Sequence, residues 1–172
     1  LQIRPDYVEG LTNYGFVLRK LRNYSLATVQ FKKALSIDPN SNEALVNLVE
    51  AYFNEGFLPK AIEVAKQGLL SKPNNIPLLK SLIESLILLD RLEEASSACK
   101  KLLSISKNDA DAINVMGLIC ERKGFYKDAK DHFLKALKLD KNFVLAKINI
   151  ATLYQLEGKI EAANQIYNDL LK

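Results

Sequence analysis

The same residue types recur along this chain at a fixed interval of 34 positions. One column of positions at this spacing holds only alanine: Ala27, Ala61, Ala95, Ala129 and Ala163. A second column holds only apolar residues: Tyr14, Leu48, Leu82, Met116 and Ile150. A period between about 20 and 50 residues is the sequence signature of a repeat architecture, so the chain is predicted to stack copies of one structural unit.

Each unit has the pattern of two helices. In the first unit Leu11, Tyr14 and Leu18 recur at the spacing of one helical face, and a second apolar stripe begins at Ala27. Pro39 closes the unit, because the residue before a proline is pushed out of the helical region. A further column holds glycine in three of the units, one place beyond the first helix, where a left-handed terminator is expected. Its members are Arg22, Gly56, Asp90, Gly124 and Gly158.

These motifs resemble the tetratricopeptide repeat, which favours Leu, Gly and Tyr in its first helix and Ala, Phe, Ala and Pro in its second. The first unit carries the motif as Leu11, Tyr14, Gly15, Leu18, Ala27, Phe31, Ala34 and Pro39. The fourth carries it as Ile113, Met116, Gly117, Cys120, Ala129, Phe133 and Ala136. The resemblance implies an all-α fold, a right-handed superhelical solenoid of antiparallel helix pairs. A coiled coil is excluded, since turn residues interrupt any heptad pattern.

The register divides the chain into about five repeats. Residues 1–7 are predicted to end a preceding repeat, and the repeats are 8–41, 42–75, 76–109, 110–143 and an incomplete 144–172. Terminal units of a solenoid normally need a polar outer face, and the last unit has no polar capping helix. We therefore expect either a longer array or self-association through the uncapped ends.

The family resemblance also implies that the first helices line a concave groove that binds a protein segment. The register places eleven candidate binding residues there: Asn13, Phe16, Asn47, Glu50, Lys80, Ser81, Glu84, Asn114, Leu118, Asn149 and Thr152. Their charges are mixed, and apolar side chains lie among them. We expect a protein or an extended peptide as the partner, and an interaction scaffold as the function.

One groove column is rich in asparagine: Asn13, Asn47, Ser81, Val115 and Asn149. An asparagine amide offers donors and acceptors to one peptide unit of an extended chain, although it is a mediocre helix former. The repeats of O-linked N-acetylglucosamine transferases are similar at this column, where Asn grips a peptide backbone. The alternative function is therefore a substrate-recruiting region of a larger enzyme such as a glycosyltransferase, with catalysis outside this chain. A merely tolerated solvent-facing Asn is the competing interpretation.

A second known mode of the family, the two-carboxylate clamp of co-chaperones, is not matched. That clamp needs Lys and Asn where this chain has Thr12 and Phe16, and Lys and Arg where it has Pro77 and Ser81. Only Asn47 matches. Capture of a chaperone tail is therefore not expected.

The composition also argues against several other classes of protein. The net charge of +4 is mild and its basic residues are not interleaved with aromatics, so nucleic-acid binding is not predicted. No apolar run reaches the roughly 20 residues of a membrane helix. The chain has a single histidine, His132, and two cysteines far apart in sequence, which argues against a zinc site. We expect the two cysteines to be buried thiols, and a disulfide between them is the less favoured option. We predict no catalytic residues, no metal and no cofactor, and a cytoplasmic protein.

Overall fold

A computed structural model of the chain describes residues 5–171. Leu1 to Arg4 and Lys172 lie outside the described residues, and so does most of the predicted end of a preceding repeat. The described residues form ten α-helices, which are, in chain order, α1 Pro5–Lys20, α2 Tyr24–Ile37, α3 Asn42–Glu55, α4 Leu58–Ser71, α5 Ile76–Leu88, α6 Leu92–Ile105, α7 Ala110–Arg122, α8 Tyr126–Leu139, α9 Val144–Leu156 and α10 Ile160–Leu170.

The helix boundaries reproduce the interval read from the sequence. The even-numbered helices begin at positions 24, 58, 92, 126 and 160, and helices α3, α5, α7 and α9 begin at 42, 76, 110 and 144. Both series advance by 34 residues. The predicted all-α array of helix pairs is confirmed.

Side chains cap the first helices of three repeats at matching positions. Ser41, Asn75 and Asp109 each accept a hydrogen bond from the backbone N–H three residues later, at 3.4, 3.2 and 3.0 Å. Such caps satisfy backbone donors that the first turn of a helix leaves unpaired. In these three repeats, a side chain next to the helix therefore determines where the first helix begins.

The backbone is left-handed at the three predicted glycines of the terminator column, and also at Arg22 and Asp90. The φ angles are 60° at Arg22, 85° at Gly56, 55° at Asp90, 80° at Gly124 and 74° at Gly158. In each case the next residue donates its N–H to the carbonyl five positions back, as in Asn23 to Leu18 at 2.8 Å and Phe57 to Tyr52 at 2.9 Å. This bond closes the Schellman type of helix ending. The turn is thus the same whether glycine, arginine or aspartate occupies it.

The chain divides into two compact units, residues 1–91 and 92–172, so that α1 to α5 belong to the first and α6 to α10 to the second. All five alanines of the predicted column are 0% exposed. In the first unit Gly15 lies against the ring of Phe31, and in the second Gly117 lies against Phe133. At these two positions a small residue therefore packs against a large aromatic one inside a helix pair.

Candidate functional site

In the first unit a hydrogen-bonded network connects α1 to α3 on the side where the sequence predicts binding. Arg19 Nη1 lies 2.7 Å from Glu50 Oε2, and Arg19 Nη2 donates to Asn47 Oδ1 at 3.2 Å. The Arg19 side chain is only 14% exposed, whereas that of Glu50 is 37% exposed. The partly buried guanidinium therefore holds two candidate binding residues in position.

Phe16 lies beside this network on α1. The guanidinium carbon of Arg19 is 5.3 Å from the centroid of the Phe16 ring, and Lys20 Nζ is 5.2 Å from it. These are distances at which a cation is attracted to an aromatic face. Arg19 Nε is buried and has no hydrogen-bond partner. The ring and the ion pair together hold Arg19 in place.

The hydrogen-bonding capacity of Asn47 is partly used inside the protein. Its Oδ1 accepts from Arg19, and its Nδ2 donates to the Glu43 carbonyl one turn earlier at 2.9 Å. One N–H and one acceptor site remain. Because Asn47 is only 7% exposed, it contributes little to the surface itself and acts mainly by holding Arg19 in position.

A cleft of about 540 Å³ lies between α3 and α5 in the same unit. Its apolar lining includes Phe53 and Ile76, and its charged lining includes Glu50, Lys80 and Glu84. The remaining lining residues are Asn54, Pro77 and Ser81. The cleft therefore presents both signs of charge beside an aromatic ring.

The electrostatics of the cleft are governed by two carboxylates. Burial raises the pKa of Glu84 above its ordinary value, the neighbouring Glu50 carboxylate raises it further, and the Lys80 ammonium opposes the change. Although Glu84 is exposed overall, partial desolvation of its carboxyl disfavours the charged form, and a second negative charge nearby acts in the same direction. A positive charge near Glu84 would therefore favour its ionised form.

The second unit shows its own polar pairing between first helices. Asn149 on α9 donates from Nδ2 to Asn114 Oδ1 on α7 at 2.9 Å. The hydroxyl of Thr152 donates to the Ile148 carbonyl at 3.1 Å. Asn114 is 6% exposed, so its oxygen is engaged within the fold.

The structure places the eleven predicted residues at different depths. Exposed are Asn13, Phe16 and Glu84; half-buried are Glu50, Lys80, Leu118, Asn149 and Thr152; buried are Asn47, Ser81 and Asn114. Those of the first unit lie on the adjacent helices α1, α3 and α5. The register also places Arg19 and Phe53 on the groove side, although neither is among the eleven candidates, and Asn54 and Ile76 were not predicted.

Other chemistry is sparse in the described part of the chain. Both cysteines are free, and burial raises the pKa of the Cys99 thiol to about 12. Cys99 Sγ donates to the Ala112 carbonyl at 3.3 Å, as a buried thiol does. Among residues 5–171 there is no group of three or more His, Cys, Asp or Glu side chains placed to hold a metal ion. Within the same range no helix is long and apolar enough to cross a membrane.

The fold defines an all-α helical-repeat protein built from antiparallel helix pairs. The chain belongs to the tetratricopeptide repeat family. Sequence profiles described as tetratricopeptide repeat match residues 18–86 and residues 110–143. The family's fold suggests a protein–protein interaction scaffold, and its members commonly bind proteins or peptides. The matches point to a non-catalytic repeat protein, and none supports the glycosyltransferase alternative.

Individual known proteins agree with this assignment. A TPR repeat-containing protein of Methanocaldococcus jannaschii is 26% identical over 168 residues, which cover 92% of this chain and 30% of the relative. The chain therefore spans less than a third of that protein. The solved chain of MamA from Desulfovibrio magneticus superposes with a TM-score of 0.85 at 16% identity, covering 96% of this chain and 94% of that solved chain. PilF from Pseudomonas aeruginosa superposes with a TM-score of 0.81 at 24% identity, covering 95% of this chain and 74% of that chain. The two structures show the shared fold.

Proposed function

We propose that the chain binds an extended peptide segment of a partner protein on the face formed by α1, α3 and α5. The observation that carries this proposal is the cleft between α3 and α5, where Phe53 lies among Glu50, Lys80 and Glu84. Such a site combines an apolar anchor point with charges that select orientation, which is how peptide-binding surfaces obtain both affinity and specificity.

The interactions that hold this face in place favour binding of a ligand without large rearrangement of the protein. Arg19, Asn47 and Glu50 are already joined by hydrogen bonds and an ion pair. A surface held in its bound form loses less conformational entropy when a ligand arrives. The peptide is therefore expected to meet a preformed surface.

The dimensions suggest the length of the segment. Packed helices lie about 8–10 Å apart, so three neighbouring first helices span about 20 Å. An extended chain advances about 3.3 Å per residue, and about six residues cross this distance. The best ligand should carry one apolar residue to meet Phe53 and one basic residue to meet Glu84.

Asn13 is the residue of the asparagine column that is free to take part, because it is exposed on α1. Its amide would pair with one peptide unit, whereas the buried Asn47 would act mainly through Arg19. This division of roles separates ligand contact from support of the surface.

A peptide array tests the proposal. The purified chain is applied to synthetic peptides of about eight residues that vary the apolar and charged positions. We expect selective binding of peptides with an apolar and a basic residue, weakened by Asn13→Ala and by Glu84→Gln. The matched control is Glu63→Gln, since Glu63 is exposed on α4 away from this face. Equal binding by all three variants and the wild type would refute the proposal.

A further inference from the structure

In the first unit, large apolar side chains are exposed where the first helix of each repeat gives way to the second. Leu21, which follows α1, is 73% exposed, and Phe57, which follows α3, is 46% exposed. Leu88 and Leu89 at the end of α5 are 57% and 39% exposed. A large apolar side chain left in water forgoes the stabilisation that burial would give it. Three successive turns therefore carry apolar groups that the described part of the chain leaves open.

The turns themselves do not require apolar residues at these positions. Three other repeats have a polar residue in the column of Phe57, and each closes its turn with the same hydrogen bond, from its backbone N–H to the carbonyl five positions back. These residues are Asn23, Arg91 and Lys159. The column of Leu88 likewise includes Lys20, Asn54 and Arg122. Since polar residues close the same turn, the turn does not explain the apolar ones.

The exposure of these positions does not depend on where the sequence begins or ends. In all five repeats the residues in the columns of Phe57 and Leu88 are exposed, including the repeats that have a neighbour on each side. They are Asn23, Phe57, Arg91, Phe125 and Lys159, and Lys20, Asn54, Leu88, Arg122 and Leu156. A further repeat before α1 or after α10 would therefore leave Phe57 and Leu88 uncovered.

The three turns lie at the same end of the first helices. Helix α1 contacts α3 and α3 contacts α5, and an antiparallel second helix links each to the next. Ser25 at the start of α2 donates a hydrogen bond to the Glu55 carboxylate at the end of α3, so the first two turns adjoin. Because packed helices lie about 8–10 Å apart, the apolar residues form a row about 20 Å long. We call this row, Leu21, Phe57, Leu88 and Leu89, the turn edge.

Basic residues predominate beside the turn edge. Four exposed basic residues adjoin it in sequence, against two acidic ones; they are Lys20, Arg22, Lys60 and Arg91, and Glu55 and Asp90. Lys60 Nζ lies 4.8 Å from the centroid of the Phe57 ring. The carboxylate of Glu55 is already engaged by Ser25. The turn edge therefore combines apolar side chains with an excess of positive charge.

We propose that the turn edge binds the surface of a membrane that contains anionic lipids. Its apolar side chains project from tight turns, and the cleft between α3 and α5 is lined by other residues, so a flat partner suits the turn edge better than an extended peptide does. Apolar side chains that enter the headgroup boundary leave water, and nearby Lys and Arg are attracted to anionic headgroups. The contact goes beyond the proposed function, because the peptide-binding face uses other residues.

Co-sedimentation of the 172-residue chain with lipid vesicles tests the proposal. The probes are vesicles of phosphatidylcholine with and without phosphatidylserine. We expect binding to the vesicles that contain phosphatidylserine, weaker binding to phosphatidylcholine alone, and a loss of binding as salt screens the exposed charges. Absence of binding to phosphatidylserine vesicles at low salt would overturn the proposal and leave the turn edge to an acidic partner protein.

Two variants identify the contact. Phe57→Ser combined with Leu88→Ser should weaken vesicle binding at least about tenfold, because the apolar contact is lost. Leu70→Ser is the matched control and should bind as the wild type does, since Leu70 is 85% exposed at the opposite end of α4 from Phe57. Thermal unfolding verifies that each variant keeps its fold. Unchanged binding by the double variant, or equal weakening by Leu70→Ser, would overturn the proposal.

Discussion

Gly117 and Phe133 lie in such close contact that a Cβ atom on Gly117 would stand 2.5 Å from Cε1 of the Phe133 ring. The carbonyl oxygen of Ala129 would be 3.1 Å away on the same side. Phe133 is 0% exposed and clusters with Ile150 and Leu153, so the ring has little room to move. The glycine therefore sets the distance between α7 and α8.

Gly117→Ala should destabilise the protein by about 1–3 kcal/mol, because one added methyl group overpacks a filled core. Urea unfolding followed by circular dichroism measures the change. Gly10→Ala is the matched control: its new methyl group meets open space within a helix, and it should stabilise the protein by about 0.5–1 kcal/mol. Equal and small effects of the two substitutions would contradict the packing described here.

The left-handed column gives a second pair of opposite substitutions. Gly124→Ala should destabilise by about 1 kcal/mol, since alanine is disfavoured at a φ of 80° even with no atom within 4 Å of the new Cβ. Arg22→Gly should stabilise by up to about 1 kcal/mol, because Arg22 already holds a φ of 60°. Thermal unfolding of the two variants measures both changes in stability. A loss of stability in Arg22→Gly would show that the arginine side chain contributes more than its backbone strain.

The network around Arg19 should couple its two partners. Glu50→Gln removes the charge that faces a guanidinium only 14% exposed, and it should destabilise by about 1–3 kcal/mol. Asn47→Ala should act on the same guanidinium, so the double variant should lose less than the two single losses added together. A double-mutant cycle by urea unfolding measures this difference, and simple additivity would show that the network is not cooperative.

Glu84 should make stability depend on pH. Its pKa is raised in the folded protein by burial and by Glu50, so its ionisation opposes folding. The group has no effect below the ordinary glutamate pKa of about 4.3, where both states are protonated. Stability should fall as the pH rises from there through the raised pKa. Glu84→Gln should abolish this component in unfolding curves measured across that range, with Glu63→Gln as the control; an unchanged pH profile in Glu84→Gln would contradict the assignment.

The sequence predicted the fold because its determinants are local. The alanine column, the turn column and Pro39 fixed where helices pack and end, and the observed boundaries follow the same 34-residue interval. The left-handed backbone at Arg22 and Asp90 was not predictable from residue type, since side-chain-bearing residues rarely adopt a positive φ.

The candidate surface was predicted less completely, because its details depend on side chains distant in sequence. Asn47 was placed correctly on the first-helix face by register. Its burial and its bond to Arg19, 28 residues away, depend on how α1 packs against α3. The cleft residue Ile76 was missed for the same reason. Periodicity shows which face a residue occupies, whereas hydrogen-bond partners across helices require the packed structure.

Fluorescence anisotropy with the strongest peptide from the array tests most directly whether the α1, α3 and α5 face is the binding surface. Phe53→Ala removes the aromatic side chain of the cleft and should weaken binding at least about tenfold, as loss of a central anchor does. Glu63→Gln should bind as the wild type does. Unchanged affinity in Phe53→Ala, with the fold confirmed by circular dichroism, would contradict the account.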